Sequence, residues 1–249
     1  MHGHTTQKYY QGQGAGPREV GGGHGHPDVN GFQVYAYGKW LGIDPGYERP
    51  KWTRNHNTIL VNGKGQLGEG QTWFNRKAVL EARATSAILK AEHRAGYDYT
   101  VGDAMNIYPP VAGLTRFRRH FIFVRPDIIV IVDELAAQGP SQFEWRMHAE
   151  QSLEQRGGAR FVVRNGETAM DVEFLLPEEL GAKASGSLLT ATVGPVANCL
   201  IVAVLHPRKA DAPAAVAKLE SVQPGRLGIA IGGGTKLVLD LAGQSVKLV

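Results

Sequence analysis

A chain of 249 residues with 43% hydrophobic side chains is long enough for one large all-β domain with a substantial core. Its formal net charge of +4 leans toward an anionic partner, and no DNA- or RNA-binding module accompanies that charge. The one cysteine, Cys199, excludes an intrachain disulfide, and no run of about 18 apolar residues is present to cross a bilayer as a helix.

Residues 1–8 lack the apolar centre of a signal peptide, and residues 1–20 are expected as a flexible segment ahead of one domain over 21–249. His24-Gly25-His26-Pro27-Asp28 then follows a run of glycines. Residues 32–37 read as a strand, Gly38-Lys39 as a turn and 40–43 as the returning strand. Asp44 falls at that strand's end, and His56 opens a third strand over 58–61. Imidazole nitrogens and a carboxylate oxygen suit zinc, and a set of two histidines and one carboxylate can leave a coordination position open. His24 and His26 share a face if their stretch is extended. The same residues also read as a solvated Gly/His-rich arm, and the local sequence does not separate the two readings.

Further along, residues 76–94 hold no glycine or proline and read by propensity as a helix. After them come short β-branched runs over 117–124, 128–132, 141–150, 161–164, 169–176, 188–193 and 199–205. Runs over 218–222, 227–231, 236–241 and 245–249 complete the series. Arg125-Pro126-Asp127 and Asn165-Gly166 are hairpin turns by their chemistry. This succession predicts an all-β fold, a large antiparallel β-sandwich. Gly232-Gly233-Gly234-Thr235 lacks the lysine and helix of a phosphate loop. Arg116, Arg118 and Arg119 either grip anions or line a solvated edge. His148 reads equally as a cleft residue or a hydrogen-bonded sheet residue. His93, His120 and His206 show no partner in the sequence, Asp103 reads as the holder of a turn, and Cys199 as a small buried hydrophobe.

Several ordered blocks carry a family resemblance. They are HGHPDVNGFQVYAYGKWLGIDPG (24–46), NHNTILVNGKGQ (55–66), and residues 99–104, 118–127, 132–135 and 143–148. Together they resemble the C-terminal β-domain of the heparinase II/III-like polysaccharide lyases, which act on heparin, heparan sulfate, alginate and oligoalginate. The resemblance implies a strand near 87–92 in place of a helix. It implies zinc on His26, Asp44 and His56, organising strand ends more than doing chemistry, with His24 as the catalytic candidate facing the substrate. The implied reaction is β-elimination on a uronate-containing polysaccharide, in a periplasmic or secreted enzyme.

Two departures qualify the match. The loop from Asp44 to His56 is shorter than in many relatives, which leaves Tyr47 as its one tyrosine. Family members also carry an α/α-toroid domain before the β-domain, and it supplies the catalytic tyrosine and a further histidine. That toroid is expected to be lost, cut away or separately encoded, with a homo-oligomer as another possible partner. Tyr35 and Tyr37, placed on the strand face opposite Phe32 and Val34, are substitutes, so the substrate-side set is Tyr35, Tyr37, Tyr47, Arg118 and His148. A noncatalytic zinc-stabilised carbohydrate-binding or scaffold module is the alternative. A hydrolase or oxygenase built on the metal is a third reading.

Overall fold

Two strands of 22 residues, β7 (Ile128–Ala149) and β12 (Leu188–Lys209), pair antiparallel along almost their whole length and form the spine of the fold. The protein is seen here in a computed structural model that describes residues 24–45, 48–232 and 234–249, so Tyr47 and the segment 1–20 lie outside the described residues. Sequence reading splits each long strand in two because Gly139-Pro140 and Gly194-Pro195 resemble breaks. The strands instead run through these points with register shifts between Val193 and Val196 and between Val196 and Asn198. Such irregularities bend a strand without ending it.

The two halves of the spine carry different neighbours. Beside residues 128–137 of β7 lie β6 (Leu114–Val124), β5 (Tyr97–Asp103) and the edge strand β4 (Ala87–His93). Beyond β12 come β10 (Thr168–Leu176), β9 (Arg160–Asn165) and β8 (Ser152–Gly157). The other end of β7 holds β3 (Ile59–Val61) against residues 143–145 and β2 (Lys39–Ile43) against 148–149, with β1 (Val34–Ala36) on β2. There β12 takes β11 (Gly181–Ser185).

Burial explains the sequence of the spine. Ile128, Val130 and Val132 face a second, four-stranded sheet, whose Leu227, Ile229, Leu237 and Leu239 complete one core. That sheet comprises β13 (Ala217–Gln223), β14 (Arg226–Ile231), β15 (Thr235–Asp240) and β16 (Ser245–Leu248). Ile129 and Ile131 face the opposite way and share a second core with Phe143, Trp145, Met147, Leu189 and Ala191 from the far halves of the spine. The Trp145 and Phe174 ring centroids lie 5.1 Å apart across this core. A strand covered on both sides reads as a continuous apolar run, which is what residues 128–132 show.

The segment expected to be helical divides. A short helix, α1 (Arg76–Glu81), is capped by the Asn75 side chain, which accepts from the Ala78 amide at 3.3 Å. Residues 87–93 form β4, as the resemblance implied, because pairing with β5 outweighs a preference worth a few tenths of a kcal/mol per residue. No helix among the described residues is long and apolar enough to cross a membrane.

The arginines of β6 do not line an edge, because β6 lies between β5 and β7. Arg119 is buried and makes a bidentate pair with Asp133, at 2.7 and 2.8 Å. Arg116 pairs with Glu134 at 3.1 Å, and Arg118 with Asp103 at 3.4 Å. Asp103 also accepts the Met105 amide at 3.1 Å and so holds the turn expected of it. His120 lies buried between the Tyr99 hydroxyl and the Glu134 carboxylate, each at 2.9 Å.

Candidate metal centre

The loop carrying His24 and His26 is fastened to the sheet through its backbone. Gln66 clamps Val29 from both sides, accepting its amide at 2.9 Å and donating to its carbonyl at 2.8 Å. Arg119 donates to the carbonyls of Asn30 at 2.6 Å and Asn57 at 2.9 Å, so one buried guanidinium ties the first loop to the segment bearing His56. Asn30 has a φ of 60° and donates to the Gly102 carbonyl at 3.0 Å. A Cβ at Gly102 would collide with the Asn30 side chain, so only glycine admits this approach.

Asn57 is the hub of the site. Its side-chain amide donates to the carbonyls of Phe32 and Ile43, both at 2.8 Å, which locates the residue just before Asp44. Its side-chain oxygen accepts the His148 amide at 2.8 Å and His148 Nδ1 at 3.1 Å. An amide oxygen only accepts, so the His148 proton sits on Nδ1 and the Nε2 lone pair is left bare. Burial, reinforced by Arg146 and His56 and opposed by Asp44, pushes His148 down to about 4. His148 is therefore a neutral imidazole at the end of β7, paired with Ile43.

On this framework His26, Asp44 and His56 converge, with one donor atom from each lying within 4.8 Å of the others. His56 is buried and its Nδ1 lies 2.9 Å from Asp44 Oδ2. The His26 and His56 rings meet edge to face at 5.2 Å. Tetrahedral zinc ligands stand roughly 3.3 Å apart, so the triad needs only a small contraction to grip a cation. Two nitrogens and an oxygen suit zinc better than the all-oxygen shells of calcium or magnesium.

Lys51 adds a constraint that the sequence does not advertise. It is 1% exposed, and its Nζ lies 2.9 Å from His26 Nε2. Burial and then the nearby Arg49 lower its pKa, while Asp28 opposes them. A metal bound through His26 Nε2 must displace this amine, whereas one bound through Nδ1 leaves it in place.

His24 stands apart from the triad. It is exposed, and its ring lies 5.4 Å from that of Trp73. Trp73 in turn lies under the Arg49 guanidinium at 4.2 Å. Tyr35 is 58% exposed and packs on Trp40 at 5.0 Å. Tyr37 is not on the strand as read from the sequence: with a φ of 51° it occupies the turn between β1 and β2. Lys51, Asn57, Arg49 and Trp73 escape sequence reading because their roles depend on partners distant in the chain.

A family profile described as Heparinase II/III-like, C-terminal, matches residues 12–175, well over half of the chain. Among solved structures, the Heparinase III-BT4657 gene product is similar with a TM-score of 0.67 at 18% identity, over 87% of this chain and 36% of its own. A mutant heparan sulfate lyase HepC from Pedobacter heparinus has a TM-score of 0.66 at 12% identity, over 91% and 37%. Another heparinase III structure gives 0.65 at 14% identity, over 87% and 36%. The chain thus spans little more than a third of these proteins, and at such identities the likeness establishes the fold. Together with the profile match it places the chain in the heparinase II/III-like family, a family of polysaccharide lyases, as a bearer of its C-terminal β-sandwich domain.

Proposed function

We propose that this chain is the zinc-bearing β-half of a polysaccharide lyase that acts by β-elimination on a uronate-containing polymer, such as heparan sulfate or alginate. The observation that carries the reading is the convergence of His26, Asp44 and His56 at loop and strand ends, with His24 exposed two residues from the triad. Residues 21–249 act as one domain in this reading, in a periplasmic or secreted protein. Zinc, when bound, neutralises the Asp44 carboxylate and draws three separate segments together, so its contribution is mainly structural.

The chemistry requires removal of the C5 proton of the uronate, stabilisation of the resulting carboxylate-derived enolate, and protonation of the departing O4. His24 presents an imidazole, a group that exchanges protons near neutral pH, and it does so outside the ligand set. His148, held neutral, offers a bare Nε2 that accepts a hydrogen bond from a sugar hydroxyl. Tyr35, Tyr37, Tyr47 and Arg118 remain substrate-side candidates. The proton-shuttling tyrosine belongs to an opposing wall, which an α/α-toroid or a second copy of the chain would supply.

The test is ultraviolet absorbance of the unsaturated uronate product when the chain is mixed with heparan sulfate or alginate, alone and with the toroid domain of a family member. Elimination that appears with the toroid and disappears in His24→Ala supports the reading. Binding of the polymers with no elimination under either condition favours the second reading, a carbohydrate-binding module, to which the exposed Tyr35, Trp40 and Trp73 also point.

A further inference from the structure

We propose that Trp73 and Arg49, with His24 at their margin, form a subsite for an acidic sugar unit next to the one handled beside the triad. This proposal rests on the polysaccharide-lyase reading above and extends it to residues that the reading leaves without a role.

The subsite follows from a short piece of pairing. Lys51 and Gln71 form an isolated antiparallel bridge, with the Lys51 amide donating to the Gln71 carbonyl at 2.9 Å and the Gly70 amide donating to the Lys51 carbonyl at 2.7 Å. In that register residue 49 falls opposite residue 73, and the Arg49 guanidinium indeed lies 4.2 Å from the Trp73 ring centroid. The same ribbon meets the His24-Gly25-His26 segment twice, through Trp73 against His24 and Lys51 against His26. Between these contacts Phe74 sits so close to Gly25 that a Cβ there would lie 3.1 Å from its ring. The tryptophan is therefore seated beside the triad by backbone geometry.

The chemistry of the pair selects its ligand. Trp73 remains 46% exposed, which leaves indole surface open for the C–H face of a pyranose. The guanidinium above the ring is oriented by cation–π attraction, and its planar fork matches a carboxylate or a sulfate. A neutral sugar would use the ring alone. A second arginine–tryptophan pair, Arg54 over Trp52 at 4.5 Å, provides the contrast. A Cβ at Gly70 would meet the Trp52 ring at 2.9 Å, so that indole serves packing.

Titration calorimetry with an oligoalginate tetrasaccharide and a heparan sulfate tetrasaccharide, with cellotetraose as the neutral probe, tests the assignment. Wild type should bind at least one acidic probe and bind cellotetraose far more weakly. Arg49→Gln and Trp73→Ala should each weaken acidic binding roughly tenfold, Trp73→Phe much less, and Arg54→Gln not at all. Arg49→Gln should also flatten the salt dependence. Thermal melts identify any variant that merely unfolds, and Arg49→Gln keeps the test valid if Trp73→Ala does. If wild type binds an acidic probe and a folded Arg49→Gln or Trp73→Ala variant matches it, the subsite is wrong and the lyase reading stands. If wild type binds neither acidic probe, the lyase reading fails and the subsite with it.

Discussion

Asn57 shows how one uncharged side chain can set the geometry of a charged site. It satisfies two backbone carbonyls, one amide and one imidazole, and none of these partners is a sequence neighbour. Asn57→Ala leaves these four groups without partners and should cost at least about 4 kcal/mol in urea unfolding, at about 1–3 kcal/mol per orphaned group. The hub also gives the fold a pH dependence. His148 is held near 4, against an ordinary value of 6.5, so between those values the unfolded chain binds more protons than the folded one. Stability is then complete above about pH 6.5 and declines as pH falls toward 4, by up to about 3 kcal/mol. Unfolding of chelator-treated protein across that range should show the slope, and His148→Gln should remove most of it. The grouping of His26, Asp44 and His56 was legible through the family resemblance, since the local residues read equally as a solvated arm. Asn57 and Lys51 were not, because an asparagine that bonds distant carbonyls looks like any loop asparagine, and a buried lysine looks like a surface one.

Elements were legible where burial is one-sided or continuous and illegible where tertiary pairing decides. The apolar runs of β7, β12, β14 and β15 follow directly from their two cores. The exposed, alanine-bearing β4 did not announce itself, since its strand state comes from pairing with β5. The arginines of β6 misled in the same way, for Arg119 and Asp133 are direct partners on adjacent strands and lie inside the protein. This pair also holds the Asn30 and Asn57 carbonyls, so it links sheet and site. Arg119→Met strands the Asp133 carboxylate and should destabilise the chain by about 3–5 kcal/mol. Pairing it with Asp133→Leu should restore part of that loss in urea unfolding, while metal retention stays impaired because the two carbonyls are still unheld.

For the whole molecule, the arrangement is a sandwich whose far spine ends carry loops tied by polar contacts around the convergent residues His26, Asp44 and His56. If the lyase proposal holds, His24 acts from one wall of the cleft, and orientation of reacting groups is worth about 7–11 kcal/mol of barrier. The isolated chain should therefore eliminate uronate polymers very weakly. Its metal content tests the account more directly, since the site's binding energy is also folding energy. Elemental analysis of purified, undialysed protein should find about one zinc per chain, falling below roughly a tenth in His56→Ala, with a lower melting temperature in the variant. Wild-type protein holding less than roughly a tenth of an equivalent of any transition metal would contradict the assignment of His26, Asp44 and His56 as a zinc site.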